Sequence, residues 1–216
     1  MRLREAATHA LIIANGVPPP AAFLRRLARD ADLVVATDGG ALKALRAGVR
    51  PHVVLGDMDS LSLDRREALR GVTVVPAPDQ EASDLEKAVR YCGSLGATEI
   101  CLTAAGGGRI DHGLVAYALM LAMAGRMDIR LREPHAEAAA VVGERTIRGA
   151  AGDTLSLIAM HPVQRVWLEG VRWPLRGEPL AAGSRGVSNV MEGESARLCV
   201  EGGKLIACHL WADDRA

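Results

Sequence analysis

The sequence is short of aromatic residues, with one Phe, two Tyr and three Trp among 216 residues. Ring stacking therefore cannot build the core, and small and branched aliphatic side chains must fill it. It also lacks an excess of either charge, since 26 Lys and Arg balance 26 Asp and Glu. No global field draws such a chain to nucleic acid or to an anionic membrane, so any charge-based function is local. The four cysteines, Cys92, Cys101, Cys199 and Cys208, form no C-x-x-C pair and have no histidine at zinc-ligand spacing. They read as reduced thiols in the core. Long hydrophobic runs are missing: the start carries only Ala10 to Ala14, with Glu5 among its basic residues. That is a first strand rather than a signal peptide or a spanning helix, and the expected location is cytoplasmic. Four motifs are absent as well: a Walker loop, a G-x-G-x-x-G fingerprint at a strand end, a G-x-S-x-G elbow and any H-x-x-x-H pair. P-loop phosphate binding, a standard dinucleotide fold, serine hydrolysis and zinc hydrolysis lose their support.

What is present is an apolar half, 49% of the residues, arranged in two styles. From Leu11 to about Glu133, short apolar runs alternate with amphipathic segments, the pattern of βα units on a mainly parallel sheet. The expected strands are 10–14, 33–36, 53–55, 72–75, 100–103 and 129–131, and the expected helices 21–29, 41–47, 64–70, 84–95 and 112–124. After about His135 the helical period disappears, and strand-like stretches follow at 138–142, 154–160, 163–168, 196–200 and 204–210. Gly202-Gly203 between the last two is the clearest hairpin signal. The fold class is α/β: a Rossmann-like α/β sandwich over residues 1–135 and a smaller all-β sandwich over 136–216.

In open α/β sheets ligands gather beyond the carboxyl ends of the strands. Polar residues sit at four such places: Asn15-Gly16, Asp38-Gly39-Gly40, Gly56 to Ser60 and Gly106 to His112. Asp57 and Asp59, two residues apart past a strand, suit a hard cation bound to phosphate oxygens, or else form a polar turn that caps a helix. In the stretch from Pro78, Ser83 and Glu86 fit a capping box that starts a helix at Asp84. Asp84 and Lys87 then share one face at a helix start, which suits a site holding metal and phosphate, or is an ordinary surface ion pair. The glycines at 106–108 let backbone N–H groups converge on an anion, Arg109 can grip phosphate at two points, and Asp111 can cap the helix or reach metal. The simpler alternative there is a flexible turn. His112 beside Asp111 is the one histidine singled out. Carboxylates for metal and cations for phosphate together favour phosphoryl chemistry.

In order and content these segments resemble the thiamin pyrophosphokinase family. The matching signatures are Asp38-Gly39-Gly40, Gly56-Asp57-Met58-Asp59-Ser60, Pro78-Asp79-Gln80, Ser83-Asp84-Leu85-Glu86-Lys87 and Gly107-Gly108-Arg109-Ile110-Asp111-His112. In the second half they continue with Gly170-Val171-Arg172-Trp173 and Gly186-Val187-Ser188-Asn189. The resemblance implies an α/β catalytic domain, a β-sandwich and a homodimer with its thiamin sites between subunits. It implies transfer of pyrophosphate from ATP to the thiamin hydroxyl with Mg²⁺, giving thiamin diphosphate and AMP. By position Asp57, Asp59 and Asp84 would take the metal, with Asp38, Asp79, Asp111 and His112 close by. Gln80, Lys87 and Arg109 would hold phosphates, and Ser188 and Asn189 would lie near thiamin. No nucleic acid or membrane partner is expected. The departures are Ala104-Ala105, where the family often has glycine, and Met58 for a frequent Phe. With aromatics so few, contact with the thiamin rings falls to Trp167, Trp173 or Trp211. Two rivals stay open: a pyrophosphokinase acting on a hydroxymethylpterin, and a non-catalytic nucleotide or thiamin-diphosphate sensor.

Overall fold

The computed structural model describes residues 8–56, 69–79 and 81–212. Asp57, Asp59 and Gln80, and most of the helix expected at 64–70, lie outside the described residues. The chain divides into two compact units, Met1–Leu119 and Met120–Ala216.

The first unit holds five strands: β1 (His9–Ile13), β2 (Leu33–Thr37), β3 (Val53–Gly56), β4 (Thr73–Pro76) and β5 (Glu99–Thr103). All pair in parallel, in the order β5-β1-β2-β3-β4. Strands β1, β2 and β3 are continuous apolar runs because helices cover both faces of the sheet. Leu11, Ile13, Val34, Ala36 and Val54 face one cluster with Phe23, Leu24 and Leu27 of α1 (Ala21–Asp30) and Ala41 and Ala44 of α2 (Asp38–Arg46). Alternate residues such as Ile12 and Val35 point to the other side, where α3 (Asp84–Ser94) packs on β1, β2 and β3 through Leu85, Ala88, Val89 and Cys92. A fourth helix, α4 (Ile110–Met123), follows β5 and carries the division between the units. Helix α2 starts three residues before its expected first turn, directly after Thr37. Gly39 and Gly40 made that turn read as a loop, but they lie in the helix because the helix start is pressed against β1.

The second unit is antiparallel throughout. Its strands are β6 (Asp128–Glu133), β7 (Ala136–Arg148), β8 (Thr154–Ile158), β9 (Val163–Glu169), β10 (Leu175–Leu180), β11 (Asn189–Val190) and β12 (Ser195–Leu210). The long strand β12 organises it. One edge of β12 pairs with β7, while on the other Arg197–Glu201 pairs with β9 and Ile206–Leu210 with β8. The strand thus passes from one group of partners to another, enclosing Leu155, Leu157, Val166, Leu168, Leu198 and Leu205 in one core.

This corrects the hairpin expected at Gly202-Gly203. The two flanking runs do not pair with each other, because both are already taken by β7. Instead Val200 lies opposite Gly143 and Leu205 opposite Val141, so Glu201 to Lys204 stand against Val142 alone as a wide bulge. Gly202 supplies the left-handed backbone, with φ +65°. The polar alternation of Glu144, Arg145 and Thr146 hid the second half of β7, and Gly and Pro hid β10 (LRGEPL). All four cysteines are free, and burial pushes the Cys92 thiol up to about 12.

The bulge gives a direct test. A Cβ at position 202 would meet the Gln164 side chain at 2.5 Å in a left-handed backbone. Gly202→Ala is expected to destabilise the chain by about 1–2 kcal/mol in urea denaturation. A hairpin turn tolerant of alanine would leave stability unchanged.

Candidate active site

Five strands running the same way bring every residue that follows a strand to one edge of the sheet. Asn15 and Gly16 follow β1, Asp38 follows β2, residue 57 follows β3, Ala77 to Asp79 follow β4, and Ala104 to Arg109 follow β5. The sequence reversal in the sheet falls between β1 and β5, where such sheets commonly hold ligands. Here the two loops are joined. Gly16 N donates to Ala104 O at 2.5 Å and Val17 N to Gly106 O at 2.9 Å.

That joint depends on missing side chains. A Cβ on Gly16 would lie 2.3 Å from Gly106 O and 2.4 Å from Ala104 O. One on Gly40 would lie 2.2 Å from Ile13 O, and one on Gly39 would run into the Asn15 side chain at 2.1 Å. Gly56 is likewise tight against Asp38 Cβ, at 2.7 Å. These close approaches let the first turn of α2 sit on the end of β1, with Asp38 only 4% exposed at the helix N-terminus. Ala104, where the family pattern often has glycine, takes a left-handed φ of +54°. That conformation is the physical reason for glycine there, and the alanine carries a modest strain instead.

Lys43 was not singled out in the sequence. One turn along α2 from the glycines, its Nζ donates to the carbonyl oxygens of both Asn15 and Gly16 at 2.5 Å. Burial lowers its pKa from the ordinary lysine value. The spacing from Asp38-Gly39-Gly40 to a lysine on the same helical face is the signal that could have found it.

The α3 start forms as its cap residues require. Ser83 Oγ accepts from Glu86 N at 3.3 Å, while the Glu86 carboxylate turns to Arg90 rather than back to the cap. Asp84 and Lys87 meet at 3.4 Å. The Lys87 Nζ also donates to Ala77 O at 2.9 Å, tying the end of β4 to the helix. Its side chain is 9% exposed against 40% for Asp84, so a buried ammonium backs a half-open carboxylate at a helix N-terminus, where anions are favoured. Asp79 is exposed and turns the chain by accepting from Glu81 N.

On the β5 side Arg109 and Asp111 are exposed and paired, with Nη2 to Oδ2 at 2.5 Å and Nε to Oδ1 at 3.1 Å. The guanidinium pulls the Asp111 carboxyl down to about 2. Asp111 stands inside the first turn of α4 rather than at its cap, because the helix begins at Ile110. An exposed pair of this kind exchanges readily for a more highly charged partner, so Arg109 remains available to phosphate. His112 is exposed beside it.

Ser188 and Asn189 belong to the second unit. Ser188 is exposed at φ +62°, and its N–H donates to Ser156 Oγ at 3.0 Å. Asn189 is buried and engaged at both ends of its amide. Oδ1 accepts from Trp173 N and Val190 N at 3.1 and 2.9 Å, and Nδ2 donates to Trp173 O at 2.6 Å. Its side chain clamps the backbone of Trp173, whose indole is 57% exposed with Arg172 over the ring. Trp167 and Trp211 are half-buried.

No three His, Cys, Asp or Glu converge at metal-ligand distance among the described residues. The donor set along the edge still suits a hard cation. Asp38 and Asp84 supply carboxylate oxygens, the ligand type a hard cation takes, and β3 ends against Asp38 just before Asp57. Such an edge can hold a metal-bound polyphosphate, with cations at either side.

Known families share this organisation. Residues 24–131 match the thiamin pyrophosphokinase catalytic domain, and 144–205 match the thiamin pyrophosphokinase vitamin B1 binding domain. No curated relative matches the chain. Among solved structures, a thiamine pyrophosphokinase from Bacillus subtilis is 22% identical, covers 94% of this chain and 99% of its own, and superposes with a TM-score of 0.82. One from Geobacillus thermodenitrificans is 24% identical, with coverages of 96% and 100% and a TM-score of 0.82. One from Candida albicans is 16% identical, with coverages of 95% and 90% and a TM-score of 0.78. At these identities the likeness establishes the fold.

The role of Lys43 is testable without substrate. Lys43→Met removes both bonds to the β1 loop and is expected to speed amide exchange at Gly16 and Val17 about tenfold, or ~1.4 kcal/mol, with circular dichroism unchanged. Exchange at wild-type rates would show that the loop holds itself.

Proposed function

The chain belongs to the thiamin pyrophosphokinase family, and we infer that it transfers the pyrophosphoryl group of ATP to the hydroxyl of thiamin, giving thiamin diphosphate and AMP. The observation that carries this is the succession of both domain signatures along one chain, catalytic then vitamin B1 binding. They favour thiamin over a pterin acceptor and a working enzyme over a sensor.

We assign catalysis to residues 1–135 and thiamin binding to 136–216. Asp57, Asp59 and Asp84 would hold Mg²⁺, which when bound neutralises charge on the phosphate oxygens. Gln80, Lys87 and Arg109 grip the phosphates, Lys87 from its buried position behind Asp84 and Arg109 by leaving Asp111. Asp38, Asp79, Asp111 and His112 line the nucleotide side. The hydroxyl oxygen of thiamin attacks the β-phosphorus in line, the bridging bond to the α-phosphoryl oxygen breaks, and AMP departs with that electron pair. The hydroxyl proton passes to a carboxylate of the Asp57, Asp59, Asp79 and Asp84 group. No covalent intermediate is needed, and positioning with charge stabilisation supplies the rate.

Ser188 lies at the thiamin site, and Asn189 acts there by holding Trp173. The exposed Trp173 indole is the best candidate for contact with the thiamin rings. A homodimer is supported by the exposed apolar start of α4, where Ile110 is 81% and Leu114 58% exposed. A cytoplasmic location is consistent with there being no membrane-spanning helix among the described residues.

Purified protein with ATP, Mg²⁺ and thiamin is expected to yield thiamin diphosphate by chromatography. Turnover confined to a hydroxymethylpterin would overturn the acceptor, and no turnover with any alcohol would support the sensor. Asp59→Asn and Lys87→Met are each expected to lower kcat at least about a hundredfold. Trp173→Ala should raise the KM for thiamin about tenfold while sparing the KM for ATP. An unchanged KM would remove Trp173 from the site.

A further inference from the structure

The second unit contains a cavity of about 780 Å³ whose lining includes none of the residues given roles in the transfer. Its floor is a row of side chains across three strands. Arg132 of β6 lies opposite Glu137 of β7, and Glu137 opposite His209 of β12. The wall is the second half of β7, from Arg145 to Arg148, continuing to Gly149. Trp211 closes one side, its ring 5.1 Å from that of His209.

The charges there do not cancel. Four arginines, at 130, 132, 145 and 148, line the cavity with only three carboxylates, Asp128, Glu137 and Asp153. Each carboxylate is already engaged. Asp128 accepts from Arg130 at 2.7 and 2.9 Å and from Arg145 at 2.9 and 3.3 Å, one anion serving two guanidiniums. Glu137 pairs with Arg132 at 3.3 Å. Asp153, 1% exposed at its side chain, bonds His209 Nε2 at 2.8 Å and accepts from Ala150 N at 2.8 Å. Arg148 makes no ion pair among the described residues. The Trp211 Nε1–H is buried without a hydrogen-bond partner among them. The groups left over are therefore donors. Asp128 fills one edge of each of the Arg130 and Arg145 guanidiniums and so fixes both before any ligand arrives, leaving their outer N–H groups, while Arg148 keeps its whole fork of parallel N–H groups for paired oxygens. The volume falls in the range of small-molecule sites and far exceeds that of a chloride ion.

We propose that this cavity binds a small oxyanion carrying at least two negative charges, its phosphate or carboxylate oxygens received by Arg145 and Arg148 beside the Trp211 ring. The proposal goes beyond pyrophosphoryl transfer and does not depend on it.

The three tryptophans give three indole resonances in ¹H–¹⁵N spectra of the full chain, and Trp211→Phe assigns the one needed. Pyrophosphate and citrate, titrated separately at constant ionic strength, distinguish phosphate from carboxylate ligands. At least one should shift the Trp211 resonance saturably at sub-millimolar concentration. Arg148→Ala, a change at the exposed rim that leaves the fold intact, should raise the midpoint at least about fivefold, and adding Arg145→Ala at least about tenfold. A Trp211 resonance unmoved by both anions overturns the proposal. So does an equal midpoint in the Arg148→Ala chain, which would place the binding elsewhere. A resonance that moves on dilution of the protein but not with either anion would assign the cavity to a contact between copies, and also overturns it.

Discussion

Everything proposed for the catalytic edge depends on one constraint: the first turn of α2 and the β5 loop must both lie against the end of β1 at backbone contact. Gly16, Gly39 and Gly40 permit that approach, and Lys43 reinforces it by bonding the two carbonyls that the joined loops leave over. If any side chain stood there, Asp38 and the β5 loop would be displaced from the same edge. The parallel ladder β5-β1-β2-β3-β4 then carries this alignment sideways to β4, where Lys87 fixes the next loop to α3.

The electrostatics follow from the same geometry. Cations are held by backbone oxygens or by carboxylates around the edge, at Lys43, Lys87 and Arg109, so positive charge stands ready for the polyphosphate proposed to bind there. Preorganised charge costs little reorganisation during reaction, which is how the proposed site would accelerate pyrophosphoryl transfer without a covalent intermediate. The two units use arginine differently. In the first, Arg109 has a single exposed partner that a phosphate can replace. In the second, Arg145 is fixed on a carboxylate it shares with Arg130, and such an arrangement suits a standing receptor.

Much of this was legible in the sequence, for local reasons. Apolar runs of three to five residues identified the parallel strands, and Asn15, Asp38, Asp57 and Asp79, one to four positions beyond them, put polar and acidic residues at their ends. Ser83 announced the start of α3. What stayed hidden depended on contacts between distant residues. Lys43 looks like any solvated helix lysine until Asn15 and Gly16, nearly thirty positions away, are placed beneath it. Gly202-Gly203 has the composition of a hairpin, and only the pairing of both flanks with β7 turns it into a bulge. The resemblance puts Asn189 near thiamin, but the bonds by which its amide holds the Trp173 backbone could not be read from the sequence. The Arg145 cavity left no motif, since its lining comes from four separate stretches of chain.

The central claim is that this edge transfers a pyrophosphoryl group rather than a single phosphoryl group. Phosphorus NMR of the reaction with ATP, Mg²⁺ and thiamin tests it most directly. AMP and thiamin diphosphate should rise together in equal amounts, with no ADP. Accumulation of ADP with thiamin monophosphate would contradict it.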